Sequence, residues 1–197
     1  MDLETGYQYH VYNRGINRAS IFFSNKNYVY FRQKLIDYLK PHISIISNCL
    51  MPNHFHLHLA AGDNFNLLQF QKAMKIILSS YSRAVNLKYG RVGSLFQQHT
   101  KAKCLSDDKH QKDLPFICFN YLHQNPLKAG LVGKLEDWEF SSFNEYFNNN
   151  PLLCDVSLGR DLLNLPTITD DFYKMSLEQF DNDLIKKCSK IHVQPDW

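Results

Sequence analysis

The chain has 197 residues, enough for one domain with a proper core and some appended structure. Its balance of 44% hydrophobic and 21% charged residues is that of a folded protein, and no run approaches the roughly 18 apolar residues of a membrane span. The formal charge of +3 is unevenly spread, +6 over residues 1–147 and −3 over residues 148–197, so a uniformly acidic or basic protein is excluded.

The acidic start, Met1-Asp2-Leu3-Glu4, lacks the basic and then apolar profile of a signal peptide, so a cytoplasmic protein with no membrane partner is expected. Five scattered cysteines (Cys49, Cys104, Cys118, Cys154, Cys188) contain no C-x-x-C pair and read as reduced, buried thiols. Residues 7–14 alternate aromatic or β-branched residues with polar ones and predict a first strand. Ser24 is a candidate N-cap for a helix carrying Tyr28, Phe31, Leu35 and Leu39, stopped by Pro41. Residues 43–50 and 54–61 read as two strands of a hairpin turned by Met51-Pro52-Asn53. A long amphipathic helix follows, with Leu67, Phe70, Met74, Ile77, Leu78, Tyr81 and Val85 inward and Gly90 just past its end.

Residues 100–105 predict a fourth strand. Pro115 suits the first turn of another helix, which Pro126 is expected to end near Asn125. The order β-α-β-β-α-β-α implies an α+β fold: a ferredoxin-like antiparallel sheet with packed helices. Beyond the Asn148-Asn149-Asn150-Pro151 loop, helical stretches at 158–165 and 170–187 form a short C-terminal extension.

Two segments carry possible chemistry. In His54-Phe55-His56-Leu57-His58-Leu59 the strand period puts three imidazoles on one face and three apolar side chains on the other. The apolar row is expected to bury while the imidazoles meet water or a ligand. Two imidazoles so spaced can reach one divalent ion; a half-exposed strand that happens to be rich in histidine has the same pattern. Tyr121 and Asn125, four apart, share a helix face, where a nucleophile and a neutral oxygen ligand could meet one ion. A buried tyrosine beside a helix-ending Asn-Pro is the plain alternative. Basic residues outnumber acidic ones from Lys72 to Lys112, which would draw a polyanion to that side.

Four stretches together resemble the REP-associated tyrosine transposases of the HUH single-tyrosine superfamily. They are Tyr9-His10-Val11-Tyr12-Asn13-Arg14-Gly15 with Ile21-Phe22-Phe23; Met51-Pro52-Asn53-His54-Phe55-His56-Leu57; Gly90-Arg91-Val92-Gly93-Ser94-Leu95-Phe96-Gln97; and Tyr121 through Val132. Trp138 to Tyr146, with Ser141-Ser142, extends the match. The resemblance implies a catalytic domain over 1–147 and an accessory helical extension over 148–197. It implies His54, His56 and Asn125 as ligands of Mg²⁺ or Mn²⁺ and Tyr121 as the nucleophile. The expected substrate is single-stranded or hairpin DNA, cleaved and transferred through a 5′-phosphotyrosine, by a monomer or a homodimer. Candidate DNA contacts are Arg14, Arg91, Lys101 and Lys103, with Tyr9, Tyr12 or Phe96 available for base stacking. Two departures stand out: His99-Thr100-Lys101 replaces the family's usual Arg-Tyr-Lys, and His58 replaces an aliphatic residue. A hairpin-DNA-binding protein that no longer transposes fits the same residues. An RNA-binding module sharing the sheet topology fits less well, because its aromatic motif is missing.

Overall fold

The computed structural model describes residues 2–106 and 113–188; Asp107, Asp108, Lys109 and Lys112 of the basic run lie outside the described residues. Strand β1 (Gln8–Arg14) leads to helix α1 (Asn25–Lys34), which ends in a π turn over Leu35–Leu39. The hairpin β2 (Ser44–Met51) and β3 (His54–Ala60) follows, then α2 (Leu67–Tyr89), β4 (Lys101–Cys104) and α3 (Leu114–Lys128). The sheet order β2-β3-β1-β4, with every pairing antiparallel, is the split β-α-β arrangement expected from the element order.

Side-chain alternation divides the sheet into two faces. On one, Val11, Phe55, Leu57 and Leu59 are fully buried together with Phe31 of α1 and Phe70, Ile77 and Tyr81 of α2. Each such side chain contributes about 1.5–3 kcal/mol by leaving water. Helix α2 begins where the Gln69 amide donates to Asn66 Oδ1 and ends on Gly90, whose φ of 61° is the left-handed cap that glycine allows. Its cations Lys72, Lys75, Arg83 and Lys88 are exposed on the far side of that layer, whereas Lys101 and Lys103 pair opposite Tyr12 and His10 and belong to the other sheet face. The basic run is therefore divided between the two sides of the sheet.

Helix α3 covers the second face and departs from expectation at its end. Pro126 lies inside it, and the helix continues to Lys128. Proline deletes one helical donor, but in a last turn that loss is limited, and the stop is set by Gly130 at φ 68°. Gly130 N–H donates to Leu127 O and Leu131 N–H to Pro126 O, the paired bonds of a Schellman ending.

The C-terminal part is α4 (Phe143–Phe147), α5 (Val156–Leu163), α6 (Thr169–Ser176) and α7 (Asn182–Cys188). The single helix expected over 170–187 is two. Gln124 of α3 donates to the carbonyls of Ser176 (2.9 Å) and Glu178 (2.7 Å), so a tertiary contact takes the acceptors at the break. Tyr146 hydroxyl donates to Ile46 O (2.6 Å), and Gly159 packs so close that an added Cβ would lie 1.9 Å from that hydroxyl oxygen. Gly159→Ala is therefore expected to displace Tyr146 from the sheet and cost about 1–3 kcal/mol. A urea midpoint equal to that of the parent would rule this packing out. Among the described residues no helix is long and apolar enough to cross a membrane.

Candidate active site

The register of β1 and β3 places His10, Tyr12 and Arg14 opposite His58, His56 and His54, so all six side chains share the α3 face. Of the water or ligand that the imidazoles were expected to meet, water is largely excluded: His54 is 3% exposed and His56 and His58 are fully buried. The reason is a second helical layer. Cys49 and Met51 of β2, Cys118, Tyr121 and Leu122 of α3, and Cys188 of α7 form one buried cluster over this face. The cysteines are free thiols, with Cys104 half-buried and the rest buried; burial and the neighbouring Cys188 push the Cys118 thiol up.

Hydrogen bonding separates the three imidazoles of β3. His54 Nδ1 lies 2.5 Å from Asn53 Oδ1, and His56 Nδ1 lies 2.8 Å from His10 Nε2. Their remaining nitrogens, His54 Nε2 and His56 Nε2, are buried with no hydrogen-bond partner among the described residues. The two rings meet edge to face with centroids 4.8 Å apart. His58 is held by the opposite nitrogen, Nε2, at 2.8 Å from Gln8 Oε1. The pair His54 and His56 is thus distinguished from His58 by which nitrogen remains available.

Burial keeps these imidazoles neutral. Desolvation, aided by Arg14 and His10, lowers His54 to about 3, and the same causes with His54 added hold His56 well below the usual histidine range. His10 is lowered to about 4 by burial, partly opposed by its bond to the Cys188 carbonyl. Neutral imidazole is the form that binds a metal.

Tyr121 is 2% exposed, and its ring stands edge-on to His56 at 5.6 Å and to His10 at 6.3 Å. One turn along α3, Asn125 is fully buried, and neither Oδ1 nor Nδ2 has a hydrogen-bond partner among the described residues. Two buried amide atoms left unmatched are costly unless something else occupies them. Among the described residues no three His, Cys, Asp or Glu side chains are placed to hold a metal. A divalent ion here would draw on two imidazoles and the Asn125 amide oxygen, a donor set that suits such ions. His123, two residues after Tyr121, points elsewhere: its Nε2 meets Ser142 Oγ at 2.8 Å, and Ser142 also pairs with the backbone of Asn48. It ties α3 to the edge of the sheet.

The candidate DNA contacts fall in different places. Lys101 and Lys103 line a cavity of about 510 Å³ with Tyr12, Lys186, Lys187 and Cys188. Arg14 and Lys101 line a smaller one with Asn13, Gln97 and His99. Thr100 Oγ1 accepts from Asn13 Nδ2 (3.0 Å), so it acts in packing. Arg91 lines neither cavity and sits over the Phe23 ring at 5.4 Å. Tyr9, Tyr12 and Phe96, expected as possible stacking surfaces, are 5%, 3% and 6% exposed, and Phe96 lies among Phe31, Phe55 and Tyr81 in the core. Sequence reasoning assigned no role to His10 or Asn53. Strand alternation groups His10 with Tyr12, but its pairing with His56 depends on β1 and β3 being neighbours.

No protein-family model and no curated protein matches this chain. A solved structure described as a REP-associated tyrosine transposase bound to a REP hairpin is similar in fold, with a TM-score of 0.57 and 18% identity. The match covers 79% of this chain and 90% of that one.

Proposed function

We propose that the chain is a metal-dependent single-tyrosine nuclease and strand transferase acting on single-stranded or hairpin DNA. The observation that carries the reading is the pair of buried nitrogens with no partner among the described residues, His54 Nε2 and His56 Nε2, with the His56 ring edge-on to Tyr121, which itself precedes the unmatched Asn125 amide by one helical turn. The likeness in fold to a hairpin-bound tyrosine transposase supports the substrate class. In this reading residues 1–147 carry the chemistry and residues 148–197 form an accessory extension.

His54, His56 and Asn125 would hold Mg²⁺ or Mn²⁺, which when bound supplies charge stabilisation to the non-bridging phosphate oxygens. Tyr121 Oη attacks phosphorus; the Oη–P bond forms and the P–O3′ bond breaks. The phosphate stays on the 5′ side, linked to Tyr121, and the released 3′ oxygen takes up the proton that the phenol gives up. Attack on that link by the same or another 3′-OH restores a phosphodiester, so no nucleotide hydrolysis is needed. The helix holds the hydroxyl in a fixed direction, which offsets the weak nucleophilicity of a phenol.

The test is incubation with labelled hairpin DNA bearing single-stranded flanks, with Mg²⁺ or Mn²⁺, followed by a denaturing gel and peptide mapping. A metal-dependent adduct on Tyr121 is expected; hairpin binding with no adduct at any flank sequence or metal would overturn the reading. That second result would support a hairpin-binding protein without transposition, which the burial of Tyr121 and both imidazoles favours.

The four lysines around the 510 Å³ cavity suit the phosphate backbone of a strand approaching this face. Lys101→Ala with Lys103→Ala is expected to weaken binding of all sequences alike and to lower the slope of log K against log salt by about 1 for each phosphate that is no longer neutralised. An unchanged slope would place the strand elsewhere.

A further inference from the structure

Both metal-facing histidines are held through Nδ1, and in each case the chain of bonds ends on a backbone carbonyl. Carbonyl oxygens only accept, so the direction of every bond in each chain is fixed. For His56 the chain begins at Cys188 O, 2.7 Å from His10 Nδ1. That nitrogen must carry the proton, and in a neutral imidazole His10 Nε2 is then an acceptor. It lies 2.8 Å from His56 Nδ1, which must therefore donate, leaving the lone pair of His56 on Nε2. The opposite direction would set two acceptors against each other at 2.7 Å. A charged His10 would have to lie fully buried among Tyr12, His56, Tyr121 and the Cys188 carbonyl, none of them acidic.

For His54 the chain begins at Arg18 O, which accepts from Asn53 Nδ2 at 3.1 Å. This orients the amide so that Oδ1 faces His54 Nδ1 at 2.5 Å; His54 donates there and keeps its lone pair on Nε2. Arg18 and its neighbour Asn17 hold φ values of 61° and 52°, a left-handed turn unusual for two consecutive residues with side chains. That turn follows β1 and aims the Arg18 carbonyl at Asn53. His58, whose Nε2 donates to Gln8, shows that the arrangement is not a general property of this strand.

We propose that His10 and Asn53 are positioning residues that fix His56 and His54 in the Nδ1–H tautomer, each through a relay anchored on a backbone carbonyl. The relays present both Nε2 lone pairs to one ion before it arrives. They also make the end of α7, through Cys188, part of the metal-binding apparatus. The inference rests on the metal-ligand reading above, but its first test needs neither metal nor DNA.

Long-range ¹H–¹⁵N spectra of the metal-free protein at pH 7.5 should show protonated Nδ1 and unprotonated Nε2 for both His54 and His56, and the reverse for His58. An Nε2–H signal for His54 or His56 overturns the inference. Mn²⁺ affinity, measured by titration calorimetry, is the second readout. His10→Phe keeps a ring in the site but removes the relay, and should weaken Mn²⁺ binding about 10–100-fold and shift His56 toward Nε2–H. His10→Gln, whose amide can donate to Cys188 O and accept from His56, should restore most of the affinity. Equal Mn²⁺ affinity in parent and His10→Phe overturns the relay. If His10→Phe does not fold, Asn53→Ala takes its place, with the same loss expected at His54. A parent protein that shows the expected tautomers but binds no Mn²⁺ leaves the relays standing and removes the metal-dependent function.

Discussion

Replacing Tyr121 by phenylalanine is expected to reduce covalent adduct formation by on the order of 10³-fold or more while hairpin binding stays within a few-fold of the parent. The expectation follows from where the side chain sits. Its ring is buried in the cluster that joins α3 to β2 and stands edge-on to His56 and His10. Phenylalanine keeps the ring and its shape and removes the hydroxyl oxygen that the proposed mechanism uses for attack. Removing a nucleophile deletes the covalent route, whereas removing a group that merely lines the site weakens it by degrees. The measurement is a time course of adduct formation at saturating hairpin, paired with an equilibrium binding assay on the same DNA. Adduct formation at the parent rate would assign the nucleophile to another residue.

Acid should destabilise the metal-free protein well above the range in which carboxylates titrate. In the unfolded chain each imidazole takes up a proton as pH falls through about 6.5. In the fold, burial delays protonation of His10 to about 4 and of His54, His58 and His123 to about 3, with His56 shifted in the same direction. Between those values the unfolded state binds more protons, so stability falls as pH drops. Above pH 7 both states are neutral at these sites, and they add no slope. One unit of difference corresponds to about 1.4 kcal/mol per group. Five buried imidazoles acting at a fraction of that still remove several kcal/mol by pH 5, against roughly 5–15 kcal/mol for a whole domain. Urea midpoints recorded with a chelator at pH 7.5, 6.5, 5.5 and 5.0 should fall steadily below pH 6.5. A constant midpoint down to pH 5.0 is incompatible with five imidazoles held neutral.

The two expectations draw on one architectural fact. A sheet face that alternation alone would leave half-wet is enclosed by α3 and α7, so the candidate chemistry and the acid sensitivity share the same buried imidazoles. Where α3 ends illustrates the limit of local reading. Proline at 126 is a strong breaker signal in isolation, yet the helix runs to Lys128 and stops at Gly130, whose left-handed conformation supplies the Schellman bonds. The division of the C-terminal helix has the same character, since Gln124 lies about fifty residues away and reaches the break only through tertiary packing.

The sequence by itself determined the α+β order, the face shared by His54, His56 and His58, and the helical turn between Tyr121 and Asn125. These depend on the strand and helix periods, which are properties of the local chain. Strand spacing left the three imidazoles equivalent, the choice of His54 and His56 resting on family resemblance, and the basic run read as one surface. Only the tertiary structure decided which nitrogens remain available, because that depends on Asn53 and Arg18 beside His54, on His10 and Cys188 beside His56, and on Gln8 beside His58. It likewise separated Lys101 and Lys103 from the lysines of α2, because β4 lies beside β1 on the sheet while α2 covers the opposite face. Hydrogen-bond direction and sheet neighbourhood join residues as far apart as 10 and 188, and no local periodicity encodes them.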